Sequence, residues 1–157
     1  MQSRYIFIFL LTALFGFASL NTSVMAAGSD DAPTDTDPDY AAGKKAALAG
    51  QYKLAIGSLK RAIANDSKNA DALNFLGYSY RKMGNFENSL SYYKKALVIK
   101  PEHRGALEYL GELYLQTGNL KAARQQLEKL ESACIFGCDE YDQLKEAIAT
   151  FATKGKS

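Results

Sequence analysis

A period of 34 residues runs through this chain of 157. Leu76-Gly77-Tyr78-Ser79-Tyr80 returns in register as Leu110-Gly111-Glu112-Leu113-Tyr114, and Gly84-Asn85-Phe86 returns as Gly118-Asn119-Leu120. A fainter copy lies upstream, where Gly43 holds the place of Gly77, and Gly50-Gln51-Tyr52 that of Gly84-Asn85-Phe86. A fixed period of this length predicts a stack of helical hairpins, because one hairpin is too small to bury its own apolar face and must lean on the next. Such a stack offers an extended surface, which favours binding over catalysis.

Apolar residues follow helical spacing from Pro38 onward, and Pro38 suits a first turn, where its missing N–H is not needed. Tyr40, Ala41, Lys44 and Leu48 lead to a stop at Gly50, then Tyr52, Ala55, Ile56, Leu59 and Ile63 make a second helix. The next pair runs Leu73, Leu76, Tyr80, Met83, then Phe86, Leu90, Tyr93, Leu97, and stops before Pro101. A third pair carries Leu107, Leu110, Tyr114, then Leu120, Ala123, Leu127, Leu130. Tyr141, Leu144, Ile148 and Phe151 form a last amphipathic helix. Gly43, Gly77 and Gly111 leave room for helices to cross closely, Tyr80 and Tyr114 fill the space between hairpins, and Gly84 and Gly118 permit the turns.

These residues resemble the tetratricopeptide repeat family, whose pattern is an aromatic or Leu, then Leu-Gly, then Tyr, with Ala and an aromatic in the second helix and a closing Pro. Residues 70–103 meet nearly all of it with Leu73, Leu76-Gly77, Tyr80, Gly84, Phe86, Tyr93, Ala96 and Pro101, and depart at Ser89. Residues 104–137 match with Leu107, Leu110-Gly111, Tyr114, Gly118 and Ala123, and depart at Leu127, Leu130 and Cys134. Residues 36–69 are the weakest copy, with Ala46 in place of Tyr and Ser67 in place of Pro. The resemblance implies an all-α fold: three helix-turn-helix repeats in a right-handed superhelix, closed by a C-terminal capping helix over residues 139–153. The repeat domain is expected to span residues 38–153, with a tail at 154–157.

Upstream of the repeats, Arg4 and the apolar run 5–20 read as a secretory signal, with Val24-Met25-Ala26 offering a cleavage site after Ala26. The run falls short of the roughly 20 apolar residues a membrane anchor needs. No cysteine stands directly after the cleavage site, which closes the lipoprotein route. Residues 27–37 contain no large apolar side chain and read as an acidic disordered linker. Asp30, Asp31, Asp35, Asp37 and Asp39 precede a body with 18 basic and 12 acidic residues from Tyr40 onward. The basic residues are scattered and form no run, so nucleic acid is not an expected partner. The expected location is the bacterial periplasm, off the membrane once the signal is cleaved.

The resemblance further implies a concave groove lined by the first helices. The residues of those helices outside the packing pattern are Tyr40, Lys44, Asn74, Tyr78, Arg81, Glu108, Tyr109 and Glu112. Tyr and Arg bring large contact area with a polar handle, which suits a bound polypeptide. Some domains of the family clamp a C-terminal carboxylate with Lys, Asn and Arg on successive first helices. Gly105, Glu108, Tyr109 and Glu112 would repel or ignore one, so that ligand does not carry over.

Cys134-Ile135-Phe136-Gly137-Cys138 is the sharpest departure from the family pattern. A disulfide would close a loop of about five residues and hold the cap, contributing roughly 2 kcal/mol by chain entropy. A redox pair is a second reading, though the spacing is not Cys-x-x-Cys. A metal site is a third, with His103, Asp139 and Glu140 as further ligands. Export favours the first. His103 itself reads as an exposed turn residue. Glu128, Glu131, Asp139, Glu140 and Asp142 cluster at the cap, where a helix N-terminus explains Asp139 and Glu140 without acid–base chemistry. No nucleophile triad, phosphate loop or metal motif appears, so neither enzyme activity nor a cofactor is expected. The sequence thus reads as a scaffold binding a segment of an envelope or secreted protein. The alternative is a thiol- or metal-linked accessory, in copper handling or cytochrome maturation.

Overall fold

The structure, a computed structural model, describes residues 37–154. The expected signal at 1–26, all of the linker except Asp37, and residues 155–157 lie outside the described residues. The described chain forms seven helices: α1 (Pro38–Leu48), α2 (Tyr52–Asn65), α3 (Ala70–Lys82), α4 (Phe86–Ile99), α5 (Arg104–Gln116), α6 (Leu120–Ala133) and α7 (Asp139–Lys154). No strand occurs among the described residues, and no helix there is long and apolar enough to cross a membrane.

The turn inside each hairpin is made by two adjacent residues with separate tasks. Gly50, Gly84 and Gly118 have φ of 75°, 77° and 78°, a left-handed conformation that a side chain disfavours. In the second hairpin the Gly84 N–H donates to Arg81 O at 3.0 Å and the Asn85 N–H to Tyr80 O at 2.9 Å, which ties off the end of α3. Asn85 then starts the next helix: its side chain accepts from the Asn88 N–H, and Asn119 accepts from the Ala122 N–H in the same way. Three other helix starts are capped too. Asp37 caps α1 through the Asp39 and Tyr40 N–H groups, Asn69 caps α3, and His103 caps α5 through Nδ1, which accepts from the Ala106 N–H at 3.2 Å.

Packing runs from helix to helix along the chain, and α1–α3, α3–α5 and α5–α7 also touch. The second helices α2, α4 and α6 make no comparable contact with one another. The first helices are therefore the crowded, inner side of a curved stack and the second helices its outer side. Glycines set the close crossings. A Cβ on Gly43 would stand 2.6 Å from Leu59 Cγ, and one on Gly77 would stand 2.7 Å from the Tyr93 ring. Leu59, Leu76, Tyr93, Leu110, Leu130 and Leu144 fill the core, each contributing about 1.5–3 kcal/mol by burial.

The third repeat breaks this rule. A Cβ on Gly111 would meet Leu144 of α7 at 2.5 Å, not Leu127 of α6, the residue in register with Leu59 and Tyr93. Helix α7 thus presses against α5 as a further first helix, with Leu144 and Ile148 completing the cluster around Leu107, Leu115 and Leu130. Cys134 and Cys138 are joined by a disulfide with Cα atoms 5.6 Å apart, closing the link between α6 and α7.

Candidate functional site

Four aromatic rings cross the inner face from α1 to α5. Tyr40 and Phe75 have centroids 6.3 Å apart, Phe75 and Tyr78 are 6.4 Å apart, and Tyr78 and Tyr109 are 5.0 Å apart. Tyr52 of α2 adds an edge contact to Tyr78 at 6.2 Å. Helical spacing produces this ladder. Phe75 and Tyr78 lie three residues apart on α3 and so share a face, while Tyr109 is the counterpart of Phe75 one 34-residue repeat on.

Cations are interleaved with the rings. Lys44 Nζ lies 5.7 Å from the Tyr40 centroid and 5.9 Å from Phe75. Lys82 Nζ lies 5.4 Å from Tyr78. The Arg81 guanidinium sits between Tyr78 and Tyr109, 5.6 and 5.5 Å from their centroids, and forms an ion pair with Glu112 of α5. These contacts rivet α3 to α5. Cation–π attraction of this kind is worth about 0.5–2 kcal/mol each, most where water is excluded.

The eight expected groove residues divide by exposure. Lys44, Tyr78, Tyr109 and Glu112 are part-exposed and form the accessible surface. Tyr40, Asn74, Arg81 and Glu108 are buried rather than presented as an open wall. Tyr40 belongs to the first core cluster. The Arg81 side chain is 2 % exposed, and its charge is matched by Glu112, so neither residue offers a free charge. Asn74 is enclosed with its Oδ1 lacking a hydrogen-bond partner, and a Cβ on Gly105 would come 3.2 Å from its Nδ2. Burial, with Glu112 and Glu140 nearby and only Arg81 opposing, pushes the Glu108 carboxyl up to about 7. Burial likewise raises the Tyr109 phenol to about 12, and the fully enclosed Tyr93 phenol above its ordinary range.

Phe75, Tyr52 and Lys82 belong to this surface and were not among the expected residues. Phe75 lies one 34-residue period before the expected groove residue Tyr109, a signal present in the sequence, and Tyr52 lies on a second helix. Only the packing of α2 on α3 brings Tyr52 to the ladder.

His103 is not an exposed turn residue. It is buried, its Nδ1 caps α5, and its Nε2 lies 3.0 Å from Asp71 Oδ1 at the start of α3. Because Nδ1 accepts a backbone N–H, the ring proton belongs on Nε2, beside the carboxylate but not aligned with it as a hydrogen bond. His103 is thereby a joint between two first helices. With both cysteines bonded, their thiolates are not available as ligands, and among the described residues no group of three or more His, Cys, Asp or Glu could hold a metal ion.

Helical hairpins stacked at a 34-residue period, with glycine crossings and a ring-lined inner face, define a helical-repeat solenoid. Residues 70–103 and 108–133 match models of the tetratricopeptide repeat, and the chain is a tetratricopeptide-repeat protein. No curated protein matches the sequence. Solved structures share the fold. The type III secretion translocator chaperone SycD of Yersinia enterocolitica is 17 % identical with a TM-score of 0.67, over 82 % of this chain and 91 % of that one. It has also been solved in complex with a peptide of the translocator YopD. The first such domain of Spaghetti (RPAP3), solved with the HSP90 peptide SRMEEVD, is 15 % identical with a TM-score of 0.65, over 76 % of this chain and 91 % of that one. MamA is 29 % identical with a TM-score of 0.56, over 60 % of this chain and 56 % of that one.

Proposed function

We propose that this protein is an exported interaction module that holds an extended segment of an envelope or secreted partner against its inner face, in the periplasm. The observation that carries the reading is the Tyr40–Phe75–Tyr78–Tyr109 ladder, whose part-exposed rings Tyr78 and Tyr109 are held by Arg81, itself paired with Glu112. Rings fixed before binding lose little entropy on contact, so their area converts more fully into affinity. The peptides held by SycD and by the RPAP3 domain support a polypeptide ligand on this fold. Charge sets the register of the segment. Lys44 is part-exposed on the first helix beside Tyr40 and Phe75, so the ligand places an acidic residue near it.

The test is site-directed photocrosslinking in intact cells, with a photoreactive phenylalanine at Tyr78 or, as control, at Lys129 on the outer side. The Tyr78 probe is expected to capture a distinct polypeptide, and Lys44→Glu to reduce that capture. The recovered chain is expected to begin at Ala27. Equal capture from both positions, or capture indifferent to Lys44→Glu, removes the inner face as the binding surface.

A further inference from the structure

A second groove lies on the outer side, between the end of α2 and α4, with a volume of about 670 Å³. Ile63, Leu73 and Tyr92 make its floor, Val98 and Ile99 its wall, and Lys94 and Lys95 its rim. The repeat pattern does not require this arrangement. Helix α4 already buries Tyr93 and Ala96 completely, yet Val98 is 81 % exposed and Ile99 39 %. A β-branched apolar residue at a solvent position weakens a helix slightly and gains no burial in return. The floor is stiff, because Tyr92 stacks on Tyr80 with centroids 5.5 Å apart and planes 1° from parallel. Lys95 Nζ is 5.0 Å from the Tyr92 centroid. Among the described residues neither Lys94 nor Lys95 forms an ion pair. The Asp66 carboxylate at the end of α2 is turned onto the Lys68 N–H.

We propose that this outer groove is a second docking site, for an acidic amphipathic segment of a partner protein. One or two bulky apolar side chains seat on Ile63, Tyr92 and Ile99, and flanking Asp or Glu residues meet Lys94 and Lys95. Charge complementarity selects the occupant: the rim is cationic and unpaired, and the floor is apolar. A recess of this shape takes side chains. A bilayer is met by protruding apolar groups, and a nucleic acid would bring phosphates to a floor that cannot satisfy them. The groove lies behind the α3 ladder rather than on it, so both segments are held at once and the protein joins two chains.

The experiment titrates the 15N-labelled mature chain with a synthetic peptide in which Leu-Phe pairs are bracketed by glutamates. The controls are a peptide with lysine for glutamate, a peptide with serine for Leu and Phe, and phosphatidylglycerol vesicles. Amide shifts are expected at Ile63, Tyr92, Val98 and Ile99. The Lys94→Glu/Lys95→Glu chain is expected to lose affinity by about tenfold and to prefer the lysine peptide. Val98→Asp should weaken binding as well, and Lys129→Gln, an exposed change on α6, should leave it unchanged. These are surface changes, so circular dichroism should match the parent. Shifts confined to the inner face, no shifts at millimolar peptide, affinity indifferent to the charge reversal, or equal binding of the serine peptide or the vesicles would each overturn the proposal. None of these results bears on the inner-face photocrosslink.

Discussion

Glu108 shows how a single side chain couples the inner face to pH. The residue is 4 % exposed, and burial together with two neighbouring glutamates pushes its carboxyl up from 4.5 to about 7. Between those values the unfolded chain has released the proton while the folded chain keeps it. The native state then binds more protons, so stability falls as pH rises from 4.5 to 7 and no contribution exists below 4.5, where both states are protonated. Glu108→Gln removes the penalty. It is expected to stabilise the fold at pH 8 by about 1–3 kcal/mol and to change little at pH 4. Urea unfolding at the two pH values reads this directly, and an equal gain at both would exclude titration as the cause. The sequence placed Glu108 near the site as a charge, but the shift was not legible there, because Glu140 approaches from a helix 32 residues away in sequence.

Among the helices, the glycine–asparagine junction has one imperfect copy. Asn85 and Asn119 cap α4 and α6 with their side chains, whereas Gln51 starts α2 with no side-chain hydrogen bond. Its backbone, at φ −85° and ψ 58°, resembles that of Asn85, at φ −87° and ψ 77°. The longer glutamine overshoots a geometry that asparagine fits. Gln51→Asn is therefore expected to stabilise the protein by about 0.5–1 kcal/mol, as a shift in urea midpoint with unchanged slope. No gain would show that the α2 terminus is satisfied by water. The turns themselves were plain from the repeating Gly-Asn, since the requirement is local. The contact of His103 with Asp71 was hidden for the opposite reason. The ring looks like any loop histidine until α3 brings Asp71 to Nε2.

Across the whole molecule, the stack ends where α7 covers it. Leu144 closes on Gly111, and Ile148 joins Leu115 and Leu130. The Cys134–Cys138 bond limits how far α7 can swing from α6. Removing residues 139–157 uncovers this apolar face, and an open repeat end associates with others like it. The truncated chain is expected to unfold at lower urea and to run larger than a monomer in size-exclusion chromatography with light scattering. A monomer with the parent's midpoint would mean that α7 is an appendage and not the seal of the stack.

Period, turn chemistry and glycine placement are properties of neighbouring residues, and the amino-acid order alone determined them: helix pairs, their junctions, and the family to which they belong. Which side chains the inner face shows to solvent was decided only by tertiary packing. Tyr40 and Arg81 carry the same sequence marks as Lys44 and Tyr78, yet the first two are enclosed and the last two reach water. Exposure depends on how closely successive first helices approach. That spacing is set by contacts between residues distant in sequence, on successive first helices, such as Arg81 with Glu112 and Gly111 with Leu144.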